Sequence, residues 1–240
     1  MARALILVHV DDASRAHRIP GTVTPALEDR GYEVELANFV TGELPPPAAD
    51  VDVLVVMGSA HAADDDELPW LAAELAYLRS AVEAGTPVFG ICFGGQALAR
   101  VLGGVVGRAP RPERGLTTIE SLDGSVPAGP WMEFHYDAFT LPPGATPLAR
   151  TDVALQAFSH GPHLGVQFHP EIGPDVFDAW VEGWDADAWA EVERQIDVPA
   201  IRAALAERAP ACAVACRALV DLFLRRSARP RTASRPASRG

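Results

Sequence analysis

Apolar runs and amphipathic stretches alternate over the first hundred residues. Arg3 to Val10 (RALILVHV) is almost unbroken apolar sequence, as expected of a central parallel strand buried on both faces. After a polar loop over 11–20, Thr22 to Arg30 reads as a helix closed by Gly31, and YEVELAN (32–38) alternates like a strand nearer a sheet edge. Past the proline-rich connector GELPPPAAD, Val51 to Met57 predicts a third strand that ends at Gly58-Ser59. The acidic loop HAADDDELPW leads into a helix from about Leu71 to Ala84, stopped by Gly85. Pro87 to Ile91 is a fourth strand, and from Gln96 the apolar positions Leu98, Val101 and Leu102 recur at helical spacing. Strands alternating with helices predict an α/β fold, doubly wound around a mostly parallel sheet.

Beyond Gly104 the texture changes. Short strand-like pieces are separated by turns at Asp123-Gly124, Pro142-Pro143-Gly144 and His160-Gly161-Pro162, and they predict antiparallel strands extending the sheet. Helices return from Asp175. With no repeat and no internal linker, the pattern is that of one domain over 1–224. The tail RRSARPRTASRPASRG (225–240) is rich in Pro, Ser and Arg and is expected to be disordered.

Composition adds exclusions. Hydrophobic residues make up 48% and charged residues 22% of 240, which is ordinary for a soluble globular protein with ample core. No apolar run approaches the roughly 20 residues of a membrane span, and MARALILVHVDD turns acidic too soon for a secretory signal. Three cysteines make no disulfide framework, so a cytoplasmic location is expected. Six of the 20 basic residues lie beyond Leu224, where there is no acid. Residues 1–224 therefore set 14 arginines against 32 acids, a net −18, which argues against nucleic acid or an anionic membrane as partner.

The chemistry concentrates in PVFGICFGGQALARVLGG (87–104). A strand turning directly into a helix through Gly-x-Cys-x-Gly has the mechanics of a nucleophile elbow. Gly90 and Gly94 remove side chains where the backbone turns sharply, and Cys92 is left at the strand's carboxyl end beside the positive end of a helix. A cysteine nucleophile needs a base and a group that orients the base. In LGVQFHPEI, His169 follows an apolar strand, and the restricted His-Pro-Glu turn brings Glu171 back toward the imidazole. His135 and Asp137 in EFHYDAF form a second polar pair in an apolar setting, which either contacts a substrate's charged ends or satisfies a turn. His61 with Asp64, Asp65 and Asp66 has no metal-site spacing and reads as a solvated loop. His160 and His163 flank a turn and are expected to face solvent. Cys212 and Cys216, four apart on an apolar helical face, read as core packing.

GICFGGQALARVLGG and GVQFHPEI resemble the two signatures of class I glutamine amidotransferase domains, and the likeness to stand-alone proteins similar to the glutaminase domain of GMP synthetase extends over about Val51 to Glu171. The resemblance implies a flavodoxin-like architecture, with Cys92 as nucleophile, His169 as base and Glu171 as its orienting group. It implies an oxyanion hole of backbone N–H groups at Phe93 and Ser59 and a contact to a glutamine-like substrate from Gln96, while Gly58, His135 and Asp137 are further candidates for substrate contact. It implies no metal and no organic cofactor. Many members read Gly-Gly-Pro where this chain reads Gly58-Ser59-Ala60, a departure that bears on rate through the freedom of one donor peptide. With no Gly-x-x-x-x-Gly-Lys loop, an amidotransferase would need a synthase partner chain to use the ammonia. A γ-glutamyl hydrolase would need none, and a catalytically silent binding protein of the same fold is the third alternative.

Overall fold

Every strand and helix predicted before Gly104 forms. A computed structural model describes residues 1–228. In chain order it places β1 (Ala2–Val8), α1 (Val23–Glu28), β2 (Tyr32–Asn38), β3 (Val53–Val56), α2 (Leu71–Ala84), β4 (Val88–Ile91) and α3 (Phe93–Val101). The third helix begins three residues before Gln96, directly after Cys92. The later elements are β5 (Val106–Thr117), β6 (Glu120–Ser121), β7 (Trp131–Phe139), β8 (Thr146–Arg150), β9 (Leu155–His160), β10 (His163–Val166), α4 (Pro174–Val181), α5 (Ala186–Glu193) and α6 (Val198–Ser227).

Eight strands form one sheet in the order β2-β1-β3-β4-β10-β9-β8-β6. From β2 to β10 the pairings are parallel, and from β10 to β6 they are antiparallel. The sheet is thus doubly wound with an antiparallel extension, as the pattern predicts. Burial along β1 shows why its sequence is continuously apolar: Ala4, Ile6 and Val8 enter one core, while Leu5 and Leu7 enter the other. Leu27 of α1 and Leu219 and Phe223 of α6 pack on the first face, and Leu75, Leu78 and Leu98 of α2 and α3 pack on the second.

Three expectations need correction. The strands β5 and β7 do not extend the sheet but form a separate two-stranded ribbon. Pro110 and Pro112 lie in β5 and cannot donate to a ladder, and the register shifts between Arg108 and Glu113. His163 does not face solvent: on β10 its side of the sheet is covered, and its Nδ1 lies 3.2 Å from the Val88 N–H, which donates to it. Burial, with the charge of His160 adding to it, pushes its pKa down to about 4, which suits an acceptor nitrogen. His160 is half-buried. Finally, α6 runs past Leu224 to Ser227, and Arg226 donates to Ser159 Oγ at 2.9 Å, so the first residues assigned to the tail belong to the helix. The rest of the tail, from 229, lies outside the described residues. Cys216 is buried against the first core face, whereas Cys212 on the same helix is only partly covered.

Candidate active site

The carboxyl ends of β3, β4 and β10 lie side by side, and the predicted site residues sit where these strands stop. At the end of β4, Cys92 has φ 51° and ψ −107°, and it is the only non-glycine residue with positive φ among those described. Such a torsion is disfavoured for a side chain and persists only where surroundings impose it. Here the Cys92 N–H donates to the Val166 carbonyl at 2.8 Å, while the Cys92 carbonyl accepts from Gln96 N–H at 2.9 Å. The turn is tight because the flanking glycines let main chains touch. A Cβ on Gly94 would collide with the Val56 carbonyl of β3, and one on Gly90 with the Gly94 carbonyl.

The segment after β10 brings the second cluster. His169 donates its main-chain N–H to the Met132 carbonyl at 2.9 Å, which ties it to the ribbon strand β7. Its Nδ1 lies 2.7 Å from Glu171 Oε1, and both side chains are almost fully buried. Burial opposes the charged imidazole, but the charges of Glu171 and Cys92 outweigh it and hold the His169 pKa well above its usual value. Trp180 of α4 presents an edge to the imidazole, with ring centroids 4.6 Å apart. Gly58 leaves room for the ring: a Cβ there would come 2.9 Å from His169 Cε1 and 3.7 Å from Cys92 Cβ. The fold therefore assembles Gly58, Cys92, His169 and Glu171 from three separate strand ends.

The remaining predicted residues are placed differently. Gln96 is buried and donates from Nε2 to the Asp137 carbonyl at 2.9 Å and to Gln167 Oε1 at 3.2 Å. Asp137 itself is half-buried, with Arg108 3.4 Å from its carboxylate. The His135 ring is turned into the ribbon: Nδ1 lies 3.0 Å from the Asp137 carbonyl, and Nε2 lies 3.2 Å from both Glu113 and Glu133. Neither carboxylate is in line with Nε2 for a hydrogen bond, and both Glu133 oxygens lack partners. Glu113, Glu133 and His135 are close enough to hold a cation, and a proton on the imidazole, drawn by the two carboxylates, is the alternative way to balance their charge. Burial lowers the His135 pKa, yet its two carboxylate neighbours outweigh that and bring it to about 9.

That shift has a testable sign. The folded pKa lies above the unfolded value of about 6.5, so His135 stabilises the fold fully below pH 6.5 and ceases to do so above pH 9. Stability should fall by about 3 kcal/mol across that window, and denaturant unfolding of His135→Gln should show a flatter pH profile.

Three residues that sequence reasoning did not single out support the cluster. Gln167 Nε2 lies 3.5 Å from Cys92 Sγ, so it links the thiol to Gln96. His9, at the end of β1, is wholly buried between two acceptors: its Nδ1 lies 3.0 Å from the Gly58 carbonyl and its Nε2 2.9 Å from Glu74 of α2. In a trans peptide the carbonyl and the following N–H point in opposite directions, so holding the Gly58 carbonyl also sets the direction of the Ser59 N–H. A histidine directly after a buried strand was the available signal for His9. Nothing local identifies Glu74, which lies 65 residues away.

The geometry defines an α/β protein with a cysteine elbow beside a buried histidine–carboxylate pair. The chain belongs to the class-I glutamine amidotransferase family, whose pattern it matches over residues 21–181. It is 40% identical over 155 residues to a glutamine-hydrolysing GMP synthase of Aeropyrum pernix, covering 58% of this chain and 28% of that one. It is 32% identical over 175 residues to one subunit of the glutamine-hydrolysing GMP synthase of Ignicoccus hospitalis, covering 65% of this chain and 88% of the relative. Gamma-glutamyl peptidase 5 of Arabidopsis thaliana is 32% identical over 165 residues, covering 61% and 64%. The chain thus spans little more than a quarter of the Aeropyrum enzyme, but most of the Ignicoccus chain. A glutamine amidotransferase structure from Thermotoga maritima superposes with a TM-score of 0.81 at 24% identity, over 95% of this chain and 99% of the other, which shows the shared fold. Among the described residues no helix is long and apolar enough to cross a membrane.

Cys216 and Cys212 supply an internal control for the thiol. Burial pushes the Cys216 thiol up to about 12 and raises that of Cys212 as well. Limited alkylation near neutral pH, followed by peptide mapping, should therefore label Cys92 first. Earlier labelling of Cys212 or Cys216 would remove the elbow assignment.

Proposed function

We propose that the chain hydrolyses γ-glutamyl amides through Cys92, His169 and Glu171, and that as a glutaminase it passes ammonia to a separate synthase chain. The observation that carries this reading is the buried 2.7 Å contact of Glu171 with His169 beside the strained elbow of Cys92. The Cys92 thiolate attacks the γ-carboxamide carbon and forms a C–S bond, and the oxyanion is held by the N–H groups of Phe93 and Ser59. The His169 imidazolium gives its proton to the amide nitrogen as the C–N bond breaks, releasing ammonia. His169 then takes a proton from water, which attacks the thioester carbonyl. The C–S bond breaks, glutamate leaves and the thiolate returns. Glu171 holds the imidazole orientation and stabilises its charge throughout. Gly58, Gln96, His135 and Asp137 are proposed to contact the substrate, Gln96 and Asp137 on the side of its glutamyl portion, with no metal or cofactor in the reaction.

A synthase partner is supported by the likeness to a chain that is one subunit of a GMP synthase. A second reading, a γ-glutamyl hydrolase acting alone, is favoured by the likeness to a γ-glutamyl peptidase over 64% of that protein. Steady-state ammonia release from glutamine and peptide cleavage by the isolated chain distinguish them. Cys92 that is captured by an electrophilic glutamine analogue, with little ammonia released from glutamine alone, supports the partner-dependent enzyme. Brisk cleavage of γ-glutamyl peptides supports the hydrolase.

A further inference from the structure

A cavity of about 160 Å³ opens beside His169, with an aromatic wall and with polar residues that include Asp11, Arg15, Ser59 and Glu171 in its lining. Ile19, Phe134, Trp180 and Trp184 contribute to the wall and Gly58 also lines the cavity, whereas Gln96, His135 and Asp137 do not. The aromatic walls are braced against one another. Phe134 and Trp184 stack with centroids 5.8 Å apart and planes 12° from parallel, and Phe134 also packs on Trp180 at 5.7 Å. Trp180 in turn abuts the His169 ring. Wide-spaced, mutually packed rings keep such a space open where flexible side chains would fill it. The size is informative, because an apolar cavity of about 150 Å³ accepts a benzene ring.

Position assigns the cavity to one end of the substrate. In the proposed reaction His169 protonates the leaving nitrogen, so whatever that nitrogen carries must extend on the His169 side, away from Gln96 and Asp137. Ammonia leaves nothing there. A substituted amine would place its substituent in the cavity.

Resting on the γ-glutamyl amide reading above, we infer that this cavity is a leaving-group subsite, and that the chain takes γ-glutamyl amides whose amine carries an aromatic ring. The ring lies among Phe134, Trp180 and Trp184, and the glutamyl portion lies toward Gln96 and Asp137. The offset and edge-on arrangements already present among these rings are those in which a further ring packs favourably. The subsite also works in reverse. An aromatic amine held there attacks the thioester carbonyl, a C–N bond forms as the C–S bond breaks, the thiolate is restored, and the nitrogen's proton passes to His169.

The test compares γ-glutamyl benzylamide with γ-glutamyl methylamide, which differ in the ring while both leave as alkylamines. The expected kcat/KM ratio is about tenfold or more in favour of the benzylamide, since burial of a ring outweighs the one-methylene discrimination of apolar pockets. Trp184→Ala should bring that ratio toward one. Partitioning of the thioester requires no variant: benzylamine should divert it from water to γ-glutamyl benzylamide more effectively than methylamine at equal free-base concentration. A ratio near one in the parent protein, a ratio unmoved by Trp184→Ala, or equal partitioning with the two amines overturns the subsite. Where glutamine is hydrolysed and Cys92 is captured, such a result leaves the proposed reaction intact. Failure to hydrolyse all three amides, with Cys92 unlabelled, overturns that reaction and the subsite together.

Discussion

Cys92→Ala is expected to abolish thioester capture and ammonia release together. No other described cysteine can substitute, because Cys212 and Cys216 lie on α6 and their thiols are held protonated by burial. His169→Ala should lower turnover nearly as far, roughly 10⁵-fold or more, since it removes both the base and the acid of the leaving group. Glu171→Gln keeps the size and a hydrogen-bonding oxygen near Nδ1 but loses the charge that holds the imidazole pKa high. A loss of roughly 10²- to 10⁴-fold is expected, with measurable activity remaining, because an orienting group costs less to remove than a nucleophile. The variants are compared by capture with an electrophilic glutamine analogue and by steady-state release of ammonia from glutamine. Ammonia release by Cys92→Ala at the parent rate would exclude the mechanism, and equal losses for Glu171→Gln and His169→Ala would exclude the role given to the carboxylate.

Gly94→Ala is expected to be the most damaging conservative substitution in the elbow. The new methyl group would meet the carbonyl, carbonyl carbon and Cβ of Val56 in a strand buried on both faces. Neither partner is a flexible side chain, so α3 must move off the sheet. Overpacking of this kind costs about 3 kcal/mol or more, which is roughly 6–12 °C in Tm for a chain of this size. Movement of α3 also displaces the Phe93 N–H, so turnover should fall further than stability alone accounts for. Gly107→Ala is the control, since nothing lies within 4 Å of its added methyl group. Thermal unfolding decides the matter: a Gly94→Ala midpoint equal to that of Gly107→Ala would show that the helix–strand contact tolerates a side chain.

Much of this arrangement was legible in the order of residues. Buried parallel strands are apolar without interruption, amphipathic helices repeat at three and four, and glycine marks the helix ends, so β1 to α3 could be read in sequence. The elbow was legible because its constraint is local: a cysteine between glycines, at a strand end, followed at once by a helix. His169 and Glu171 were legible for the same reason, since a proline between them restricts the turn they share. The class of fold and the residues of the candidate cluster depend on spacings of a few residues, and spacing is what a sequence displays.

Contacts between distant segments were decided only by the tertiary structure. The pairing of His9 with Glu74 depends on α2 packing over the end of β1, which no periodicity announces. His163 has a polar-looking turn as its neighbour, yet β10 is inserted between β4 and β9, so that a ring expected in water becomes a buried acceptor. The ribbon of β5 and β7 has strand-like alternation indistinguishable from that of a sheet strand, and only the pairing of these two strands with each other sets it apart from the sheet. Gln167 could be placed on a strand but not opposite Cys92 until β10 and β4 were paired. The sequence by itself determined the elements and the elbow that presents the proposed nucleophile, because these arise from neighbouring residues. The supports of that chemistry, and the aromatic cavity beside it, arise where elements far apart in the chain pack against one another.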